Sequence, residues 1–145
     1  IFERTKEKMI ILVCTDESGG MLFHRRRQSQ DRILRERILT LTGGRGLWMN
    51  AYSFGQFQDG PTAGIRVDES FLQKAGRGEY CFVEDQPLDL GDERIESVIR
   101  YCWNRSYPGD LFLDQKELNA RFRLIRQEEF PGNSHEKITE EVYIR

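Results

Sequence analysis

The chain of 145 residues is long enough for one domain that buries roughly 70% of its unfolded surface, so it needs neither disulfides nor a metal to fold. Hydrophobic residues at 38% and charged residues at 32%, with the apolar ones gathered in short periodic runs, exclude a disordered chain and a helical membrane protein. A net charge of −2 disfavours nucleic acid and excludes an anionic membrane as partners of the whole surface, so any basic site must be local.

Residues 1–8 are polar and read as an appended extension or an expression remnant, with Met9 a natural start and residues 9–145 a single domain. Residues 9–14, MIILVC, form a wholly apolar and β-branched run closed by TDESGG, the signature of a buried strand ending in a loop. After the basic stretch FHRRRQSQDR, the residues Ile33, Leu34, Ile38 and Leu41 fall on one helical stripe. Ser29 is placed to cap that helix, Asp31 falls in its first turn, and Gly43-Gly44 stop it. Residues 47–49 predict a second buried strand, residues 68–76 a short helix with an Asp cap and a Gly terminator, and residues 80–83 a third strand. Past Pro87 the period becomes two: Ile95, Ser97, Ile99, Tyr101 and Trp103 alternate with their neighbours, and Phe122, Leu124 and Arg126, then Ile138, Glu140, Val142 and Ile144, repeat the pattern. Strand–helix units followed by strands joined by turns predict an α/β fold. Its mixed sheet has a parallel centre and antiparallel C-terminal strands, and helices flank it.

Cys14, Cys81 and Cys102 are widely spaced, odd in number and set in apolar runs, the pattern of reduced thiols in a cytoplasmic protein. No CxxC pair exists and the two histidines, His24 and His135, are far apart in sequence, so no metal site is expected.

Certain residues give this order a family likeness. The first strand with Asp16-Glu-Ser-Gly-Gly20-Met21, the segment LWMNAYSF over residues 47–54, and WNRSYPGDLF over residues 103–112 resemble the opening strand and active-site loop, the second strand and turn, and the Gly-Asp-containing strand end of the dihydrofolate reductase fold family. The resemblance implies that family's fold over most of residues 9–145. It also implies a nicotinamide cofactor whose phosphates rest on a Gly-Gly turn at a helix N-terminus. Here Glu84-Asp85 follow the third strand where those glycines are expected, Ala51 stands in place of the 2′-phosphate arginine, and only Ser53 matches the family's threonine. No cofactor is therefore expected. Asp31 lies one residue from the place of the family's pterin-binding carboxylate, and Arg26-Arg27 replace the usual Pro-Trp.

The combination of HRRRQSQDRILRERIL, LWMNAYS, YCFVED, WNRSYP and SHEKITEEVY also resembles a family of short bacterial proteins that carry the name ribonuclease Z. That nuclease is built on a His-x-His-x-Asp-His motif, which two histidines cannot supply.

The candidate site follows from the charges. Arg25, Arg26 and Arg27 offer a fork of donors for a phosphate or carboxylate, with Gln30, Asp31, Asn50, Ser53 and Glu84 as further ligand contacts. Because three consecutive side chains on an irregular segment cannot all point one way, at least one arginine is expected to meet Asp31, Glu84 or Asp85. His24, Asp31 and His135 are the candidates for acid–base chemistry. The favoured reading is a noncatalytic domain that binds a small anionic or nucleotide-like ligand, or a protein partner. A phosphodiester- or nucleotide-processing enzyme and a reductase with an altered cofactor site are the alternatives.

Overall fold

A computed structural model describes residues 8–145. The expectation for residues 1–8 therefore lies outside the described residues, Lys8 excepted. The apolar run forms β1 (Met9–Thr15), which lies between and parallel to β6 (Tyr80–Val83) and β7 (Ile95–Cys102). A strand paired on both edges and covered on both faces has no polar side to show, which explains its lack of alternation. β6 continues in parallel to β4 (Leu47–Met49), and β4 to β5 (Ile65–Val67). In the other direction β7 pairs antiparallel with β10 (Ile138–Ile144), and β10 with β9 (Arg123–Phe130). The sheet order is β5-β4-β6-β1-β7-β10-β9, with the predicted parallel centre and antiparallel C-terminal edge.

α1 (Arg32–Thr42) covers one face, where Leu34 and Ile38 pack with Leu12, Met49, Phe82 and Ile99. On the other face Ile11, Val13 and Val98 meet Phe71 of α3 (Phe71–Lys74) and Leu118 of α4 (Gln115–Arg121). Burying each such side chain contributes about 1.5–3 kcal/mol relative to leaving it in water. A small second sheet joins β2 (Gly20–Phe23) to β3 (Arg26–Arg27) on one side and β8 (Leu111–Phe112) on the other. α2 (Ala51–Phe54) follows β4.

Several local expectations are corrected. The N-cap of α1 is Asp31, not Ser29: its Oδ1 accepts the N–H of Ile33 at 2.9 Å and of Leu34 at 3.2 Å. Gly43 ends the helix in the left-handed conformation as expected, at φ 49°. Asp68 does not cap α3; it accepts the N–H of Ser70 in a turn ahead of the helix, which ends at Ala75 rather than at a glycine. α4 interrupts what the period suggested was turn-linked strands. Asp114 caps it through the N–H of Glu117, but only Leu118 of its seven residues is buried, too little for an apolar stripe. β9 does not bury the face suggested by Leu124, because it is an edge strand: Leu124 and Ile125 are 44% and 51% exposed.

Candidate functional site

The basic stretch folds as a hairpin with the tightest possible tip. His24 and Arg25 are its two loop residues, at φ 47° and 62°. Two consecutive left-handed residues are the demand of a type I′ turn, normally met by Asn-Gly because a Cβ is crowded there. Arg25→Gly is expected to stabilise the protein by about 1 kcal/mol through relief of that crowding. Urea unfolding reads it, and a loss of stability would show that the Arg25 side chain contributes more than its backbone costs.

The hairpin delivers its three arginines to different surroundings. Arg27 turns inward: its Nε donates to Glu84 Oε2 at 3.1 Å and its Nη2 to Glu84 Oε1 at 3.3 Å, a two-pronged pair. The Arg27 guanidinium lies 4.4 Å over the Tyr52 ring and also donates to the Tyr52 carbonyl, and the Tyr52 hydroxyl accepts the Arg27 N–H at 2.7 Å. Gln56 Nε2 donates to Glu84 Oε2 at 2.9 Å, so the buried carboxylate is fully engaged. Arg25 and Arg26 are exposed and make no ion pair with any described residue. A cleft of about 520 Å³ opens against Phe23, His24, Arg26, Arg27, Gln28, Tyr107 and Pro108.

Beside it lies a second polar cluster. Asp31 is buried, and besides capping α1 it accepts the N–H groups of Asn133 (3.0 Å, Oδ1) and Ser134 (2.8 Å, Oδ2) and meets His135 Nδ1 at 3.0 Å. Burial alone would raise its pKa, but the Asn133 N–H, the His135 ring and the Ser134 and Leu34 N–H groups together hold the carboxyl well below the usual carboxylate range. Only glycine fits at 132, where a Cβ would come within 2.5 Å of Asp31 Oδ2. The His135 ring stacks on Trp103 with centroids 4.5 Å apart, and its Nε2 faces Ser29 Oγ at 2.9 Å and the Tyr107 hydroxyl at 3.4 Å. Tyr107 is held in turn by Asp16, a buried carboxylate at the end of β1 that accepts the Tyr107 N–H at 3.0 Å and the N–H groups of Ser18 and Gly20.

The remaining candidates have mostly structural surroundings. Asn50 caps α2 through the Ser53 N–H and donates to Asp85 at 2.8 Å. Ser53 is buried with its hydroxyl unpartnered among the described residues. Gln30 is exposed, its side chain accepting from Arg35 and its carbonyl from Ser134 Oγ. His24 stacks on Phe23 at the hairpin tip, whereas the His135 ring nitrogens face Ser29, Tyr107, Ser134 and Asp31, so the two histidines do not form an acid–base pair. Asp31 and His135 do meet, across 104 residues of chain. Sequence reasoning gave Asp16 and Tyr107 no site role of their own, although the segments that hold them carried the family likeness, and gave Ser29 only a capping role. The three thiols are free. Burial, with the Glu84 carboxylate next, pushes the Cys14 thiol well above its ordinary value, and burial pushes Cys81 up to about 12, so neither is an activated nucleophile.

The path of the chain has counterparts among solved structures. A dihydrofolate reductase from Enterococcus faecalis, complexed with NADP(H) and RAB-propyl, superposes with a TM-score of 0.61 over 95% of this chain and 96% of its own. The chain has the dihydrofolate reductase-like fold. The two sequences are 10% identical, so the likeness concerns the fold alone, and the chemistry of the site rests on the residues described above. No protein-family model and no curated protein matches the chain. No helix among the described residues is long and apolar enough to cross a membrane, and no group of three or more His, Cys, Asp or Glu side chains among them is placed to hold a metal ion.

Proposed function

We propose that this dihydrofolate reductase-like domain binds a small anionic, nucleotide-like ligand in the cleft beside the arginine hairpin. The observation that carries the reading is the division of the arginines: Arg27 is neutralised by Glu84, whereas Arg26 lines the same cleft with no carboxylate partner among the described residues. Gln28 supports it, since its Oε1 is buried at the cleft and unpartnered among the described residues, an acceptor that a ligand N–H or O–H would satisfy. A larger hollow of about 620 Å³, between α1 and the C-terminal strands, is a poorer candidate. Its cation Arg37 is already held by Glu140 at 2.9 Å and Glu128 at 2.8 Å, and Arg126 by Glu128.

The residues present do not fit a nicotinamide cofactor bound in the family's manner. Glu84 and Asp85 occupy the end of β6, and residues 84–94 reach β7 without a helix whose N-terminus could receive phosphates. Calorimetric titration with the reduced phosphorylated cofactor is expected to give no micromolar binding. Micromolar affinity would restore the reductase reading.

Inorganic phosphate, pyrophosphate and nucleoside phosphates, screened by thermal shift, are the probes for the binding reading. A charge-assisted hydrogen bond is worth about 1.5–3 kcal/mol, so Arg26→Ala is expected to weaken the best of these by roughly 10-fold to 100-fold. Its folding stability should change by no more than about 0.5 kcal/mol. If no anion raises the melting temperature, or if Arg26→Ala binds as tightly as the parent, the cleft is not an anion site.

A further inference from the structure

The cluster beside the cleft has a connectivity that the binding reading does not use. Ser29 Oγ lies 2.9 Å from His135 Nε2, and His135 Nδ1 lies 3.0 Å from Asp31 Oδ2. This is the nucleophile–base–orienter chain by which a serine is activated, recognised by geometry and not by sequence order. We infer that Ser29, His135 and Asp31 form a serine-hydrolase triad that cleaves small carboxylic esters.

Four features of the surroundings fit those roles. Asp31 is ionised and accepts at both oxygens, so His135 must present an Nδ1–H to it, which leaves the Nε2 lone pair toward Ser29. The imidazole is clamped by Trp103 on its face and by Asp31 at its edge, so the base is oriented before any substrate arrives. Ser29 is half-buried and not consumed by helix capping, which Asp31 performs, so its hydroxyl points at the base with no other partner among the described residues. Tyr107 lines the cleft, and its hydroxyl, 3.4 Å from the same Nε2, loses that acceptor once the nitrogen takes up the Ser29 proton, which frees a donor for the oxygen that becomes negative.

The chemistry balances with water alone. Ser29 Oγ bonds to the ester carbonyl carbon while its proton passes to His135 Nε2. The ester C–O bond then breaks, and the departing alkoxide takes that proton and leaves as the alcohol. Water, deprotonated by the same nitrogen, attacks the acyl-serine, releases the carboxylic acid and returns the proton to Ser29 Oγ. Asp31 is a positioning residue that steadies the transient imidazolium. A preference for esters bearing an anionic group would rest on the arginine-cleft reading, whereas the acylation of Ser29 does not.

The test is acylation by p-nitrophenyl acetate and by the mono-p-nitrophenyl ester of succinic acid, followed by release of p-nitrophenol and by peptide mapping of the acyl group. The expected result is a burst approaching one equivalent, the acyl group on Ser29, and acylation at least about 100-fold slower in Ser29→Ala. Asp31→Asn, assayed below its melting temperature, should still fold yet acylate about 100-fold more slowly or worse, and Asp31→Glu, which restores a carboxylate, should recover part of that rate. Absence of acyl-Ser29 in folded wild-type protein with either ester overturns the triad without any variant. So does acylation whose rate is unchanged in Ser29→Ala. If Ser29 is acylated but the succinyl ester shows no advantage that Arg26→Ala removes, the triad stands and the anion-site reading falls.

Discussion

Asp31→Ala is expected to destabilise the protein by about 4 kcal/mol or more, at the upper end of what single substitutions do. The carboxylate caps α1, and losing such a cap costs about 1 kcal/mol by itself. The larger part comes from the donors left behind. The N–H groups of Asn133 and Ser134 and the His135 ring converge on Asp31, and each buried donor without an acceptor costs about 1–3 kcal/mol. The effect depends on pH with a definite sign. Because the folded protein holds the Asp31 carboxyl below its unfolded value, the unfolded chain binds more protons in acid. The stabilisation is therefore whole above the unfolded carboxyl value of about 4 and is lost as pH falls from there through the folded value. Urea unfolding of wild type and Asp31→Asn at pH 7 and pH 3 checks this: the gap between them should narrow at pH 3. A gap of constant size would mean that the charge of Asp31 is not what the site uses.

Arg27→Ala should cost about 3–5 kcal/mol, while Arg25→Ala costs no more than about 0.5 kcal/mol. The neighbours differ by two positions and by everything else. Glu84 is buried at the end of β6, and removing Arg27 leaves its charge with Gln56 as the one remaining hydrogen-bond donor among the described side chains. Removing Arg25 takes a charge from solvent. Arg27→Lys should recover little, because one ammonium cannot bridge both carboxylate oxygens while stacking on Tyr52. Glu84→Gln introduced into Arg27→Ala should restore part of the loss, since it removes the stranded charge. If the two substitutions instead add independently, the pair is not the contact that holds the hairpin to the strand ends.

What could be known without the structure divides along sequence distance. The sequence by itself determined the central strands, because an unbroken apolar run such as residues 9–14 can be satisfied only by burial on both faces. It determined α1, whose apolar stripe and terminal glycine are local signals, and the crowding of arginines called for at least one carboxylate partner among Asp31, Glu84 and Asp85, of which the fold chose Glu84 for Arg27. The tertiary structure decided the rest. Whether Ser29 or Asp31 caps α1 could not be read from residue types that cap about equally well; it was decided by the residues 131–135 turn, which brings Asn133 and Ser134 onto Asp31 and leaves Ser29 facing His135. That meeting spans 106 residues, and Tyr107 and Asp16 join it from two further segments. A pattern along one segment records which face of that segment is buried. It carries no record of which distant side chain lies on the other side, so a site assembled from four segments becomes visible only once the sheet has folded them together.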